Sequence, residues 1–120
     1  MSGGCHCGAV RFRVAVRAFD ALDCNCSMCA KKGFLHYIVP PEDFELVSGK
    51  EALSTYTFGT HTAKHHFCKT CGIHAFYEPR SHPGQIDVNV RCLDDPADIA
   101  RFAIKPFDGR NWEQNVDEIR

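Results

Sequence analysis

Seven of the eight cysteines in this 120-residue chain fall into three short groups, and a cysteine thiolate is a strong ligand for zinc. The groups are Cys5-His6-Cys7, Cys24-Asn25-Cys26-Ser27-Met28-Cys29 and Cys68-Lys69-Thr70-Cys71. Such short spacings converge sulfurs on one ion more readily than they spread disulfides across a fold. The sequence also starts without the basic and apolar regions of a secretory signal, which predicts a cytoplasmic protein with reduced thiols. We therefore predict metal sites and not disulfides.

The groups contain two, three and two cysteines, which predicts two zinc ions per chain in sites of different kinds. Zinc takes four tetrahedral ligands at structural sites, and three protein ligands with an open position at catalytic sites. Gly8 and Gly72 follow the outer groups as in a zinc knuckle, where backbone N–H groups turn to face the sulfurs. The outer groups together predict one structural zinc, with the ligands Cys5, Cys7, Cys68 and Cys71.

The middle group supplies three zinc ligands from one loop, Cys24, Cys26 and Cys29, and leaves the fourth position undefined. One alternative is an inert site completed by a histidine, for which the candidates are His36, His61, His65, His66 and His74. The other alternative is an open position that binds water or a substrate, which would make this zinc catalytic. Three thiolates make the ion a weak Lewis acid that suits a soft ligand, such as an incoming thiolate.

Alternation of apolar and polar residues predicts that these sites sit on a mainly β fold. The clearest alternation covers residues 10–16 and 86–90, and a third run covers 55–58. Further strands are expected at 33–39, 44–48, 64–68, 73–78 and 102–105. Helix signals are limited to a turn capped by Asp95 and to a terminal helix, which would carry Trp112, Val116 and Ile119. A small antiparallel β domain buries modest area, so zinc would add to its stability.

Several single residues have ordinary structural interpretations. Cys92 continues the inward face of the strand at 86–90, which predicts a small core residue and not a nucleophile. Trp112 and Phe107 are expected to close the core. Neighbouring residues on a strand face opposite ways, so at most one of His65 and His66 points towards a given site.

The composition limits the classes of partner. With 44% apolar and 24% charged residues, the chain has the composition of one globular domain, which we place at residues 1–120. The net charge of −1 lacks the basic excess of a nucleic-acid-binding domain, which argues against a zinc ribbon that binds DNA or RNA. No apolar run approaches the ~20 residues that span a bilayer, so no membrane partner is expected.

An iron–sulfur cluster is a chemical alternative for the four-cysteine site.

Three ordered segments resemble the glutathione-dependent formaldehyde-activating enzyme family, whose domain centromere protein V shares. They are Gly4-Cys-His-Cys-Gly-Ala-Val-Arg-Phe12, Cys24-Asn-Cys-Ser-Met-Cys29 and Phe67-Cys-Lys-Thr-Cys-Gly72, and the resemblance covers nearly the whole chain. It implies a small Mss4-like fold of layered antiparallel sheets stapled by zinc. It also implies a structural zinc at Cys5, Cys7, Cys68 and Cys71 and a catalytic zinc at Cys24, Cys26 and Cys29. The implied reaction adds glutathione to formaldehyde to give S-hydroxymethylglutathione, and it is classed with the carbon–sulfur lyases.

Two functions of different classes follow from these observations. The first is a zinc-dependent lyase-type enzyme that acts on thiol–aldehyde adducts, with a small thiol such as glutathione as its partner. A nearby histidine would then move the proton, and the candidates are His36, His65, His66 and His74. The second is a non-catalytic, zinc-stabilised module that binds another protein. The fourth position on the second zinc distinguishes them, because a protein ligand there favours the binding module.

Overall fold

The computed structural model describes residues 1–119, in which short strands dominate and confirm the predicted mainly β class. The strands are β1 (Ser2–Gly4), β2 (Arg11–Val14), β3 (Asp20–Cys24), β4 (Leu35–Val39), β5 (Phe44–Ser48), β6 (Leu53–Tyr56), β7 (His65–Cys68), β8 (Phe76–Tyr77), β9 (Ile86–Asn89) and β10 (Ala103–Phe107). The α-helices are α1 (Ser27–Lys32), α2 (Pro96–Ala100) and α3 (Trp112–Asn115), with 3-10 turns at Pro41–Asp43, Lys50–Ala52, Val90–Cys92, Gly109–Asn111 and Val116–Glu118. No helix in residues 1–119 has the length and apolar character needed to cross a membrane.

These strands form three sheets. The largest has the order β10-β3-β4-β9-β8, a second has the order β1-β2-β5, and β6 pairs with β7 in the third. Within residues 1–119 the named strand pairs are antiparallel, except that β10 lies parallel to β3 with Phe107 opposite Cys24. The predicted antiparallel sheets are confirmed, and this edge pair is the exception within the described residues. The chain crosses back through α2 after β9, so that β10 runs alongside β3 in the same direction.

Aromatic rings join the second sheet, β1-β2-β5, to the largest one. Phe12 on β2 is almost completely buried and stacks on Phe44 of β5, with ring centroids 5.7 Å apart. Phe44 in turn packs on Phe76 of β8, at 4.8 Å between centroids. Val88 on β9 and Val10 before β2 complete the interior of this region, and each is 1% exposed. The core therefore lies between the two larger sheets, and the cysteine groups lie at strand ends in all three sheets, at β1, β3 and β7.

The strand predictions are confirmed in position, with shorter bounds at most elements. The segment predicted at 73–78 contains only the two-residue strand β8, and the segment at 55–58 lies two residues earlier as β6. Asp95 caps α2 as predicted, because its Oδ1 accepts a hydrogen bond of 2.9 Å from the N–H of Ala97. The terminal helix is reduced to α3 and a following 3-10 turn.

Three elements, β1, β3 and α1, were not predicted, because their sequences show no clear alternation or helical periodicity. Two of the three residues of β1 are glycines, which have low strand propensity, and β3 has the mixed sequence Asp-Ala-Leu-Asp-Cys. Helix α1 is six residues long and coincides with the middle cysteine group. It ends at Gly33, whose φ of 63° is the left-handed conformation that commonly closes a helix.

Candidate functional site

The four cysteines of the outer groups meet at one point. Their four sulfurs all lie within 4.8 Å of one another, although the two groups are some sixty residues apart in the chain. The Cys7 sulfur lies 3.6 Å from both the Cys5 and Cys68 sulfurs. Zinc–sulfur bonds of about 2.3 Å place the corners of a tetrahedron about 3.8 Å apart, so this donor set fits a tetrahedral metal ion. All eight cysteines are free, as predicted.

Backbone N–H groups surround the sulfurs of this four-cysteine cluster. The N–H of Val10 donates to the Cys5 sulfur at 3.3 Å. Cys68 is fully buried at the end of β7, and the N–H of Cys71 is the main cause that lowers the pKa of its thiol. The N–H of Thr70 lowers this pKa further, and burial opposes both. The knuckle turn thus favours the thiolate form that a metal requires.

The three cysteines of the middle group also meet, with their sulfurs within 4.8 Å of one another. Cys24 ends β3, Cys26 precedes α1 and Cys29 lies inside it. The Cys26 sulfur caps the helix by accepting a hydrogen bond of 3.3 Å from the N–H of Cys29, which holds the loop in place. Within residues 1–119 no fourth histidine, cysteine or carboxylate atom joins this cluster at that distance. None of the five candidate histidines belongs to this cluster.

The C-terminal segment, residues 108–119, lies directly against this three-cysteine cluster. A Cβ added to Gly109 would lie 2.3 Å from the Cys24 sulfur and 3.0 Å from the Cys26 Cβ, so a larger residue would require the segment or the sulfur to move. Asn25 fastens the two segments together. Its amide donates to Asp108 Oδ1 at 3.1 Å, and its side-chain oxygen accepts from the Arg110 N–H at 3.0 Å.

A cavity of about 480 Å³ opens next to the three-cysteine cluster, a volume typical of small-molecule sites. Cys26 and Cys29 form part of its wall, so a metal held by the cluster would border the cavity. The rest of the wall combines aromatic and cationic side chains, chiefly Phe58, His65, Tyr77, Arg80, Arg110 and Trp112. The four-cysteine cluster offers four potential ligands and does not border this cavity.

His65 is the histidine that lines the cavity, and its surroundings determine which ring nitrogen carries the proton. Its ring lies between Phe58 and Tyr77, at 5.5 and 4.7 Å between centroids. The Lys32 ammonium group lies 3.0 Å from its Nδ1. Because an ammonium group only donates, Nδ1 accepts and the imidazole proton resides on Nε2. Burial, and then the charge of Lys32, lowers the pKa of His65 to about 4, so the ring is neutral at pH 7.

The other four candidate histidines do not line this cavity and have other surroundings. His36 is buried behind the cavity, with its Nδ1 2.6 Å from Asp87 Oδ2. His66 faces away from His65, as predicted, and bonds Thr55 and Glu78 at 2.8 and 2.7 Å. His61 lies in a loop, 2.7 Å from the Thr57 hydroxyl group. His74 borders a separate groove.

The expectations for Trp112 and Cys92 have different outcomes. Trp112, like Phe107, does not close the main core but packs in a small separate cluster beside Cys24 and Cys29, where it borders the cavity. The sequence predicts Trp112 in a terminal helix, but helical spacing does not indicate which part of the structure its side chain contacts. Cys92 lies in a 3-10 turn beyond the end of β9 and is half-buried against the core. Burial raises the pKa of its thiol to about 12, so it is a poor nucleophile as predicted.

Comparisons with known proteins agree with this arrangement. The family described as "Glutathione-dependent formaldehyde-activating enzyme" matches residues 1–107. The crystal structure of a Rhodobacter sphaeroides protein is 40% identical, with a TM-score of 0.76, and the match covers 88% of this chain and 100% of that one. A Halomonas elongata protein, provisionally named as a glutathione-dependent formaldehyde-activating enzyme, is 35% identical over 59% of this chain. The match covers 51% of that relative, so the chain spans about half of its length. The chain belongs to the glutathione-dependent formaldehyde-activating enzyme family.

Proposed function

We propose that the protein is a zinc-dependent, carbon–sulfur lyase-type enzyme that makes or breaks adducts between a small thiol and an aldehyde, such as S-hydroxymethylglutathione. The observation that carries this proposal is the three-cysteine cluster, which has no fourth protein ligand within residues 1–119 and borders a ligand-sized cavity. Family membership supports glutathione as the thiol and formaldehyde as the aldehyde.

Cys24, Cys26 and Cys29 would hold the catalytic zinc, and Cys5, Cys7, Cys68 and Cys71 would hold the structural one. The all-sulfur donor sets support this choice, because thiolates favour soft or borderline ions such as zinc. When bound at the three-cysteine cluster, zinc lowers the pKa of a thiol and polarises a carbonyl oxygen. Helix α1 and the Asn25 contacts keep the cysteine loop in place while a substrate enters.

The reaction needs no oxidant or reductant. In the direction of synthesis the thiol loses its proton, and its sulfur forms a bond to the carbonyl carbon. The electrons of the C=O π bond move to the oxygen, which takes up one proton to become the hydroxyl group. The reverse reaction breaks the carbon–sulfur bond and releases the same two molecules.

His65 is the residue that we assign to the aldehyde oxygen. Its Nε2 makes no hydrogen bond within residues 1–119 and is not enclosed by the core, which leaves it facing the cavity. Because its Nδ1 is occupied by Lys32, the Nε2–H group can only donate. A ring whose pKa is about 4 is a neutral donor at pH 7, so the final proton would come from solvent. Phe58 and Tyr77 hold the ring plane and limit the access of water.

The alternative of a non-catalytic binding module would be favoured by a protein ligand in the fourth position. None of the candidate histidines belongs to the three-cysteine cluster within residues 1–119, which supports the enzyme. Exchange spectroscopy by NMR would test the proposal, with zinc-loaded protein, ¹³C-formaldehyde and each of several thiols. We expect the protein to accelerate exchange between free aldehyde and adduct, and removal of zinc to abolish that acceleration. A protein with two zinc ions that leaves the exchange rate of every thiol unchanged would rule out the proposal.

A further inference from the structure

The charged side chains that line the cavity have an uneven distribution. Two arginines, Arg80 and Arg110, border it, whereas no aspartate or glutamate among residues 1–119 does. The family match ends at residue 107, so Arg110 and Trp112 lie beyond the matched region. This part of the wall is therefore a feature of this chain's C-terminal segment and does not follow from family membership.

Arg110 is fixed in place and retains donors for a ligand. Its Nε–H group donates to the Asn25 carbonyl oxygen at 3.0 Å, and its backbone N–H donates to the Asn25 side chain, also at 3.0 Å. Within residues 1–119 its two terminal Nη groups have no hydrogen-bond partner. A guanidinium group held through Nε presents these Nη donors with little loss of side-chain entropy on binding.

Arg80 lies on the same cavity wall in a different manner. Its guanidinium group stacks on Trp112, with the carbon 3.7 Å from the ring centroid. One Nη group donates to Glu113 Oε1 at 2.6 Å. The C-terminal segment thus holds Arg80 with the indole on its face and a carboxylate at its edge. This contact leaves Arg80 partly neutralised, so Arg110 is the stronger site for an added anion.

We propose that Arg110, assisted by Arg80, forms a carboxylate subsite that makes the enzyme select a thiol bearing a carboxylate, such as glutathione, over a neutral thiol. The inference rests on the proposed function only for the identity of the reacting thiol. A carboxylate accepts two parallel hydrogen bonds from a guanidinium fork, a geometry that lysine does not offer. The three-cysteine cluster, which borders the cavity through Cys26 and Cys29, and the two arginines in the same wall would orient such a thiol.

Calorimetry with S-methylglutathione tests the subsite without any reaction, because its sulfur is blocked. We expect Arg110→Gln to weaken binding by about 10- to 100-fold, as loss of a hydrogen bond to a charged group predicts. Arg13→Gln is the control, because Arg13 is exposed on β2 beside Glu45 and outside the cavity. Both variants should retain two zinc ions per chain. Equal affinity of Arg110→Gln and the unaltered protein would overturn the inference.

Esterified ligand supplies a second measurement that needs no variant. The diester of S-methylglutathione should bind the unaltered protein about 10- to 100-fold more weakly than the diacid, and Arg110→Gln should add little further loss. A diester that binds as tightly as the diacid would contradict the subsite. An equal loss of diester and diacid in Arg110→Gln would also contradict it, because the effect would then not involve the carboxylates.

Kinetics separate this inference from the proposed function. The ratio of kcat/KM for glutathione to that for 2-mercaptoethanol should fall at least about tenfold in Arg110→Gln, mainly through KM. If the protein accelerates exchange but this ratio is unchanged, the subsite is wrong and the proposed function stands. If no thiol reacts but S-methylglutathione binds in an Arg110-dependent manner, the proposed function is wrong and the subsite stands.

Discussion

The two cysteine clusters are built from the same ligand type but differ in completeness and in surroundings. The four-cysteine cluster joins segments some sixty residues apart, and one of its ligands, Cys68, is 0% exposed in the core. The three-cysteine cluster comes from one six-residue stretch and borders a cavity. A metal in the first cluster closes a long loop, whereas a metal in the second cluster constrains little of the chain.

We interpret this difference as a division of roles between a cluster that would stabilise the fold and a cluster that would carry out chemistry. A site that completes its own coordination has nothing to offer a substrate, and a site that offers a free position contributes less to folding. The C-terminal segment sharpens the contrast, because it covers one side of the three-cysteine cluster without adding a ligand. The predictions below test the contrast in order of the effect that we expect.

Cys68→Ser should have the largest effect, which is loss of the folded state. Structural zinc contributes about 10 kcal/mol or more to the folding of small zinc domains, as much as the whole stability of many proteins. The substitution also places a hydroxyl group at a fully buried position. Circular dichroism should show loss of the thermal transition. Cys92→Ser is the matched control, since this cysteine belongs to neither cluster, and it should unfold normally. An unchanged melting temperature in Cys68→Ser would refute a structural role.

Cys26→Ser should remove one zinc ion per chain and leave the fold largely intact. Its sulfur belongs to the cluster that ties together only six residues, so its loss releases little of the chain. The cap of α1 remains, because a serine hydroxyl accepts the hydrogen bond from the N–H of Cys29 as well as a sulfur does. Metal analysis should give one zinc ion, and thiol–aldehyde exchange should fall to the uncatalysed rate. Global unfolding of this variant would mean that both clusters are structural.

Gly109→Ala should weaken metal binding at the three-cysteine cluster alone. A methyl group at this position would lie 2.3 Å from the Cys24 sulfur, so the segment or the sulfur must move. We expect the second zinc to dissociate about tenfold or more faster into a chelator, while the first zinc is unaffected. Gln114→Ala, an exposed position in α3, is the control from the same segment. Equal zinc release from Gly109→Ala and the control would show that the segment yields without cost.

The sequence predicted the clusters well because the cysteines of each group lie close together along the chain. Their spacing and number divide the seven cysteines into sets of four and three, and the sulfurs meet in those sets. The position of β2 follows from alternation, because the buried Phe12 and Val14 alternate with the more exposed Arg11 and Arg13. The parallel edge pair formed by β10 and β3 has no such local signal, because it depends on the direction in which the chain returns.

The cavity could not be predicted for a related reason. Its wall combines Phe58, His65, Arg80 and Arg110 from separate parts of the chain, and only the fold brings them together. The sequence offered four histidines as equal candidates, because strand alternation gives the side that a residue faces but not what lies there. Lys32 was not singled out at all, although the ammonium group fixes the tautomer of His65. A lysine at the end of a short helix usually points into solvent.

The smallest effect that we predict is a change in the titration of His65. Burial and the charge of Lys32 hold its pKa at about 4, below the ordinary value of 6.5. The unfolded chain therefore binds a proton at this residue as the pH falls through about 6.5, whereas the folded chain does not until about 4. The contribution of His65 to the free energy of unfolding consequently rises with pH across this window and is constant above it.

Lys32→Met removes the second cause and leaves the first, so the pKa of His65 should rise but stay below 6.5. The apolar side chain keeps the contact with the Tyr77 ring, over which the ammonium group lies at 4.1 Å. NMR titration of the imidazole nitrogens should show this rise, and also the loss of a fixed Nε2–H tautomer. Lys31→Met is the control, because Lys31 is exposed and makes no contact with His65. An unchanged titration in Lys32→Met would mean that burial alone holds His65 neutral. Lys32 would then not be the group that directs the Nε2–H proton of His65 towards a substrate in the cavity.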